Sequence, residues 1–352
     1  MLGHYLEDVA RGDNIKNLVS LSDGTICNYL RSAAAYIEHV CPGTSIPLFA
    51  SATGSQKVAK LHPYLGELLG QRRIWKQPRA RKEPVSAAMI DAMASMADAY
   101  LSSGRYGNYG RDPVLFDWSC LAGFTGSRIG EYGVGKKYKG MPIDGWISAP
   151  TSHDVPEEWR GKPLAFMADD FTLFNKHLRR VEHSEARRHP RRVEYVDVRF
   201  RYDKSTDNFV IRRFQRLGGA FCLIRAVLSI LQRQHEDPRQ RQGEPLGFFV
   251  AENGRRSAIT SRHMKVYLQQ ACRRAHPDPD HYLRLHIDSL MAHSFRVMAA
   301  VALHNAGVPV EDIAWRLRWK TDSVKIYLRD CARTVEQLTF KAMAGAYVHA
   351  LC

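Results

Sequence analysis

Histidine set one helical turn before arginine, the pattern H-x-x-R, occurs at His177/Arg180, His189/Arg192, His281/Arg284 and His293/Arg296. Such a pair could handle phosphate: a guanidinium offers two parallel donors and a charge that does not titrate away, and an adjacent imidazole can pass a proton. At most one of the four can serve a single site, so the motif decides nothing by itself. Context separates them. Only His293-Ser294-Phe295-Arg296 opens a strong helical stretch, VMAAVALHNAG, closed by Gly307. A second helix, VEDIAWRLRW, runs to Trp319, and a third, capped by Thr321 or Asp322, carries Tyr327. Three short helices are expected to converge near one point.

The elements upstream must bring the remaining chemistry to that point. Val85-Ser86 caps a helix to about Leu101, and the apolar segment Val114–Phe124 ends in Thr125-Gly126-Ser127-Arg128-Ile129-Gly130-Glu131. A Pro-, Gly- and Asp-rich, loop-like stretch follows to about Asp170, then a basic segment from Lys176 to Arg192. Val193–Tyr202 and Asn208–Phe214, rich in β-branched and aromatic residues, read as a hairpin with Lys204 at its polar tip. At the other end of the chain, Ser22 precedes Ile26, Leu30, Ala33, Ile37 and Val40 at helical steps, and helical material recurs at Gln56–Leu69. Residues 1–75 are therefore expected to form a small all-α module. The basic, proline-broken stretch at 76–84 is the linker, and 85–352 is a second, larger domain.

Lys and Arg number 51 against 36 Asp and Glu, a net charge of +15 that favours a polyanionic partner, nucleic acid before membrane. Arg72, Arg73, Lys76, Arg79, Arg81 and Lys82 in and beside the linker are candidate DNA contacts. With 45% hydrophobic and 25% charged residues the chain can build a full core. No apolar run approaches the ~20 residues of a membrane span, and the N-terminus lacks the basic-then-apolar order of a secretory signal. The expected location is intracellular, with DNA: the nucleus of a eukaryotic host, the nucleoid otherwise. Seven scattered cysteines without C-x-x-C fit reduced thiols, so no disulfide, metal or cofactor is expected.

From Arg72 to Tyr327 the sequence resembles the tyrosine recombinase, or lambda-integrase-like, superfamily. The signature T-G-x-R-x-x-E is similar to Thr125–Glu131, the hairpin lysine to Lys204, H-x-x-R to His293 and Arg296, the His-or-Trp position to Trp319 and the nucleophile to Tyr327. Trp at 319, the eight-residue step to Tyr327 and the Arg-Trp-Lys-Thr-Asp context look more like the Crypton and DIRS-type recombinases of eukaryotic mobile elements than bacterial integrases. The resemblance implies a mainly α fold with a small β-hairpin, in which residues 1–75 are the helical core-binding (DNA-binding) domain and 85–352 the catalytic domain, the two closing as a C-shaped clamp on duplex DNA.

The implied reaction breaks a phosphodiester without metal. That requires a nucleophile, positive donors for the non-bridging oxygens and an acid for the leaving 5′ oxygen. Tyr327 would attack phosphorus and form a 3′-phosphotyrosine. Arg128 and Arg296 would clamp the phosphate, Trp319 would donate its indole N–H, His293 would assist proton transfer, Lys204 would protonate the leaving oxygen and Glu131 would orient Arg128. Trp315 competes with Trp319 one turn away, Lys136 and Lys137 compete with Lys204, and Tyr347 is a second tyrosine near the C-terminus. Apolar residues recur from Val335 to Leu351, so 334–351 is expected to form an amphipathic helix. The resemblance implies a homotetramer on synapsed DNA linked by exchange of that helix; packing on its own domain is the alternative. The competing functional readings are a type IB topoisomerase-like relaxase and a domesticated DNA-binding protein without catalysis.

Overall fold

The structure is a computed structural model, and it describes residues 39–40, 82–103, 106–134, 146, 157, 160–201, 210–240, 243–319 and 321–328. By contacts the chain divides into two compact units, Met1–Ala80 and Arg81–Cys352. Nearly all described residues belong to the second. The helices expected at 22–40 (His39 and Val40 excepted), 56–69 and 334–351 lie outside the described residues, as do Arg72, Arg73, Lys76, Arg79, Arg81, Lys136, Lys137, Lys204 and Tyr347.

The second unit is mainly helical, with small antiparallel sheets. Helix α1 (Ala87–Ser102) starts where Ser86 Oγ accepts the Met89 N–H at 3.2 Å. Its Met89, Met93, Met96 and Ala97 recur at helical steps and are buried against α6 (Ser261–Ala275), whose Tyr267 hydroxyl donates to Met93 O at 3.0 Å. Helix α2 (Arg111–Thr125) buries all its faces, because α1, α5 (Leu223–Glu236) and α8 (Ser294–Asn305) all pack on it. Its apolar run therefore shows no amphipathic period.

Strands β1 (Phe171–Phe174), β2 (Arg180–Val181), β3 (Tyr195–Arg199) and β4 (Ile211–Gln215) form one antiparallel sheet in the order β2-β1-β3-β4. The expected hairpin is present as β3 and β4, with Val196 opposite Phe214 and Val198 opposite Arg212. Two features add to the sequence reading. Phe171–Phe174 pairs with β3 along its whole length. The basic segment 176–192 also contributes β2 and the short helix α4 (His183–Arg188). Between α2 and α4 lies α3 (Ile129–Tyr132). A second hairpin pairs β5 (Phe248–Val250) with β6 (Arg256–Ala258), and α7 (Tyr282–Leu285) follows α6. Helices α8, α9 (Val310–Leu317) and α10 (Thr321–Leu328) close the described part of the unit.

Candidate active site

Helices α8, α9 and α10 pack through Ala299, Ala300, Ile313, Ala314, Leu317, Val324 and Leu328, an apolar cluster that fixes the helix ends relative to one another. Glu311 and Asp312 sit in the first turn of α9, where the helix dipole favours negative charge. At its other end Arg318 takes the left-handed conformation, φ 57°, and the Trp319 N–H returns to Ala314 O at 2.8 Å. That reversal turns Trp319 inward, 9% exposed, with its ring 5.2 Å from the ring of Tyr327. Trp315 is 58% exposed and stacks under Arg212 instead, so of the two tryptophans only Trp319 reaches the tyrosine. His293, just ahead of α8, places Nε2 2.7 Å from the Tyr327 hydroxyl.

The second arginine arrives from the end of α2. Thr125 Oγ1 donates to Leu121 O at 2.7 Å and accepts the Ser127 N–H at 3.2 Å, folding the chain tightly after the helix. Gly126 is left-handed at φ 61°, and a Cβ there would stand 3.0 Å from Leu317 Cδ2, so both conformation and space call for glycine. Its carbonyl accepts from Arg296 Nη1, which ties the T-G-S-R turn to α8. Arg296 is 4% exposed and lies over Trp319, with Cζ 4.5 Å from the ring centroid. Arg128 follows in extended conformation as the residue before α3, its side chain exposed to solvent.

Glu131 positions Arg128 differently from the sequence expectation. One carboxylate oxygen accepts the Arg128 backbone N–H at 2.6 Å, and the other pairs with Arg318 Nη2 at 2.6 Å. The side-chain partner is thus Arg318, which no motif indicated. Its signal was its place next to Trp319. The Arg318 guanidinium also lies 3.7 Å over the Phe200 ring on the sheet side.

The electrostatics are those of a site short of negative charge. Burial alone would push the Glu131 carboxyl up, but the Arg318 guanidinium, the Arg128 N–H and the Arg296 charge outweigh it and hold the group below the usual carboxylate range. Burial, then the Arg128 charge, pulls Arg296 down to about 9, which still leaves it charged at neutral pH. Burial first, then Arg296, Arg128 and Lys82, pushes the His293 imidazole down to about 4. The Tyr327 hydroxyl lies within electrostatic reach of both Arg128 and Arg296. Arg296 Nε and Trp319 Nε1 are buried donors with no partner among the described residues. Each is a buried N–H that an anionic oxygen would satisfy.

A neutral His293 in its Nδ1–H tautomer accepts the Tyr327 hydrogen at Nε2 and is placed to take that proton. The other three H-x-x-R pairs gather no such group: Arg180 and Arg192 pair at the surface with Glu182 and Glu185, and His281 stacks on His276 with ring centroids 3.9 Å apart.

Two expected results follow from this geometry. Breaking a buried pair by removing one partner costs about 3–5 kcal/mol, so Arg318→Ala should lower the urea midpoint by a corresponding amount. It should also slow any reaction that depends on Arg128, because Glu131 loses its anchor. The depressed His293 value carries a pH dependence. The unfolded chain binds the proton from its ordinary value of 6.5 downward, the folded one only near 4, so stability is lost as pH falls through that window and is unaffected above it. Thermal melts of wild type and His293→Asn between pH 7 and pH 4 should show the variant losing less; parallel curves would contradict the shift.

No family model and no curated protein matches the chain. Solved structures similar to it include the Tn1549 transposon integrase in complex with transposon right end DNA, at 13% identity and a TM-score of 0.42. The same integrase in complex with a circular intermediate DNA is 14% identical, with a TM-score of 0.41. Each likeness covers 96% of this chain and 85% of that chain.

Proposed function

We propose that this chain is a site-specific DNA strand transferase that cuts and rejoins duplex DNA through a 3′-phosphotyrosine. The observation that carries the reading is the 2.7 Å contact between Tyr327 and His293 inside a pocket where guanidinium groups outnumber carboxylates. The Tyr327 oxygen attacks phosphorus while His293 Nε2 takes the phenolic proton. Arg128, Arg296 and the Trp319 N–H hold the non-bridging oxygens, where charge accumulates. The bond to the 5′ oxygen breaks, and that oxygen leaves as a hydroxyl, the role for which the sequence offers Lys204. The phosphodiester energy is kept in the tyrosyl bond, so a 5′-hydroxyl from the same or another duplex can reverse the step without ATP. Transfer of a labelled strand from a nicked suicide duplex to a second duplex tests this. Transfer is expected; relaxation of supercoils without transfer to a new partner would make the protein a relaxase.

The finer reading is a recombinase or transposase that integrates or excises a mobile element, Crypton- or DIRS-like by its Arg-Trp-Lys-Thr-Asp context, working as a homotetramer. Support for assembly comes from the apolar pattern of 334–351 together with a groove of about 620 Å³ lined by residues such as Phe124, Phe221, Met298 and Leu303. Deleting the chain from Val335 should leave DNA binding by single protomers nearly intact and abolish two-site complexes on native gels. Undiminished synapsis by the truncated protein would remove the helix from assembly.

A further inference from the structure

The basic segment 176–192 supplies no group to the cleavage site, and the register of the sheet says where it lies. Phe200, just after β3, stacks under the Arg318 guanidinium, so the C-terminal end of β3 is the end beside the site. Phe174 pairs with Tyr195 at the other end of β3, and its carbonyl accepts the Glu194 N–H at 2.8 Å. The turn from β1 to β2 and the chain that enters β3 therefore share the end away from Arg318. Five steps along the strand at ~3.3 Å each put that end about 17 Å from Phe200.

That end is basic and held in place. Between 176 and 192 seven Lys and Arg stand against two acids, and Glu182 pairs with Arg180 at 3.2 Å and Glu185 with Arg192 at 3.0 Å. Lys176, Arg179, Arg188 and Arg191 are exposed and form no ion pair among the described residues. Asn175 Oδ1 accepts the N–H groups of His177 and Arg179 at 2.9 and 3.1 Å. Leu178, left-handed at φ 58°, closes the turn with its N–H on Asn175 O at 2.9 Å. Arg216 holds the chain at 190–193 through bonds to Pro190 O and Val193 O, both 2.7 Å.

We propose that this end of the sheet is a second contact for duplex DNA, gripping the phosphate backbone about five base pairs from the cut, at ~3.4 Å per pair. The inference rests on the strand-transferase reading for its partner and gives that reading a second anchoring surface. Charge complementarity carries it: uncompensated cations on an ordered backbone meet phosphates without the cost of ordering a chain. Contacts of this kind supply grip and orientation and read no sequence.

The test measures binding of the full chain to a random-sequence duplex of about 30 base pairs, by anisotropy, from about 50 to 200 mM salt. Lys176→Gln, Arg179→Gln, Arg188→Gln and Arg191→Gln together should leave the thermal melt unchanged and raise Kd at least ~10-fold at the higher salt. The log–log salt slope should flatten by about two to four, since each lost phosphate contact takes about one from it. Either pair alone, 176 with 179 or 188 with 191, should give about half the effect. Single-turnover cleavage at saturating protein should stay within a few-fold of wild type. An unchanged slope overturns the inference. So does an equal change when Arg239, Arg255, Arg273 and Arg274, exposed on other elements, are changed to Gln, because net charge alone would then explain the loss. An effect confined to one pair breaks the single surface and overturns it too, and loss of single-stranded RNA binding with duplex binding intact overturns it in favour of RNA. A wild type that forms no adduct on a nicked duplex sinks the strand-transferase reading, and with it the cut from which the distance is counted. Wild-type cleavage with an unchanged slope in the fourfold variant sinks the inference alone.

Discussion

Tyr327→Phe should bind duplex DNA about as tightly as wild type and leave no protein covalently attached to a nicked suicide substrate. The substitution removes one oxygen and keeps the ring, so the packing against Trp319 and His293 survives while the atom that the proposed reaction uses as nucleophile is gone. The loss should be complete at any practical assay time, since a replacement nucleophile would need both the His293 contact at 2.7 Å and access to the same guanidinium groups. Gel shift and denaturing-gel adduct assays on the same preparation separate binding from chemistry. Adduct at wild-type level in the variant would move the nucleophile to another residue.

The second large effect concerns Arg296. Removing one preorganised donor aimed at developing charge typically costs ~10²–10³-fold in rate, and Arg296, buried with its Nε unpartnered among the described residues, is placed to be such a donor in the proposed reaction. Arg296→Ala should therefore lose at least ~100-fold in cleavage while losing far less in DNA affinity, which the other cations of a +15 chain would sustain. Arg128→Ala should show a similar loss. The double variant should fall well short of the product, because in the proposed reaction both arginines act on one transition state. Arg296 also ties the Gly126 carbonyl to α8, so thermal melts must accompany the kinetics. A folded Arg296→Ala protein that cleaved within a few-fold of wild type would mean that the phosphate binds elsewhere.

What could be read in the sequence was what short-range rules govern. The T-G-S-R turn was legible as the end of the apolar helix and as a signature of the family resembled, and the structure gives Gly126 the left-handed conformation that such an ending uses. The hairpin of β3 and β4 was legible from alternation, and α8 to α10 from their helical patterning and breakers. Strand β1 was not: four residues, Phe171–Phe174, become a strand only by pairing with β3 about twenty residues on, and local propensity carries little of that. The choice between Trp315 and Trp319 was equally closed to periodicity, since both sit at helical spacing; the left-handed turn at Arg318 decides it. The pairing of Glu131 with Arg318 spans 187 residues and follows no motif, so only the fold could reveal that the carboxylate steadies Arg128 through its backbone N–H while neutralising a different arginine.

Peptide mapping of the trapped covalent complex tests the central claim most directly. With wild-type protein and a nicked suicide duplex in EDTA, the account predicts a single DNA-linked tryptic peptide bearing phosphotyrosine at Tyr327, together with a free 5′-hydroxyl on the released strand. EDTA should not matter, because in the proposed reaction guanidinium groups meet the charge on the non-bridging oxygens. Attachment at another residue such as Tyr347, a 5′-phosphate on the released strand, or cleavage that requires magnesium and leaves no adduct would contradict it.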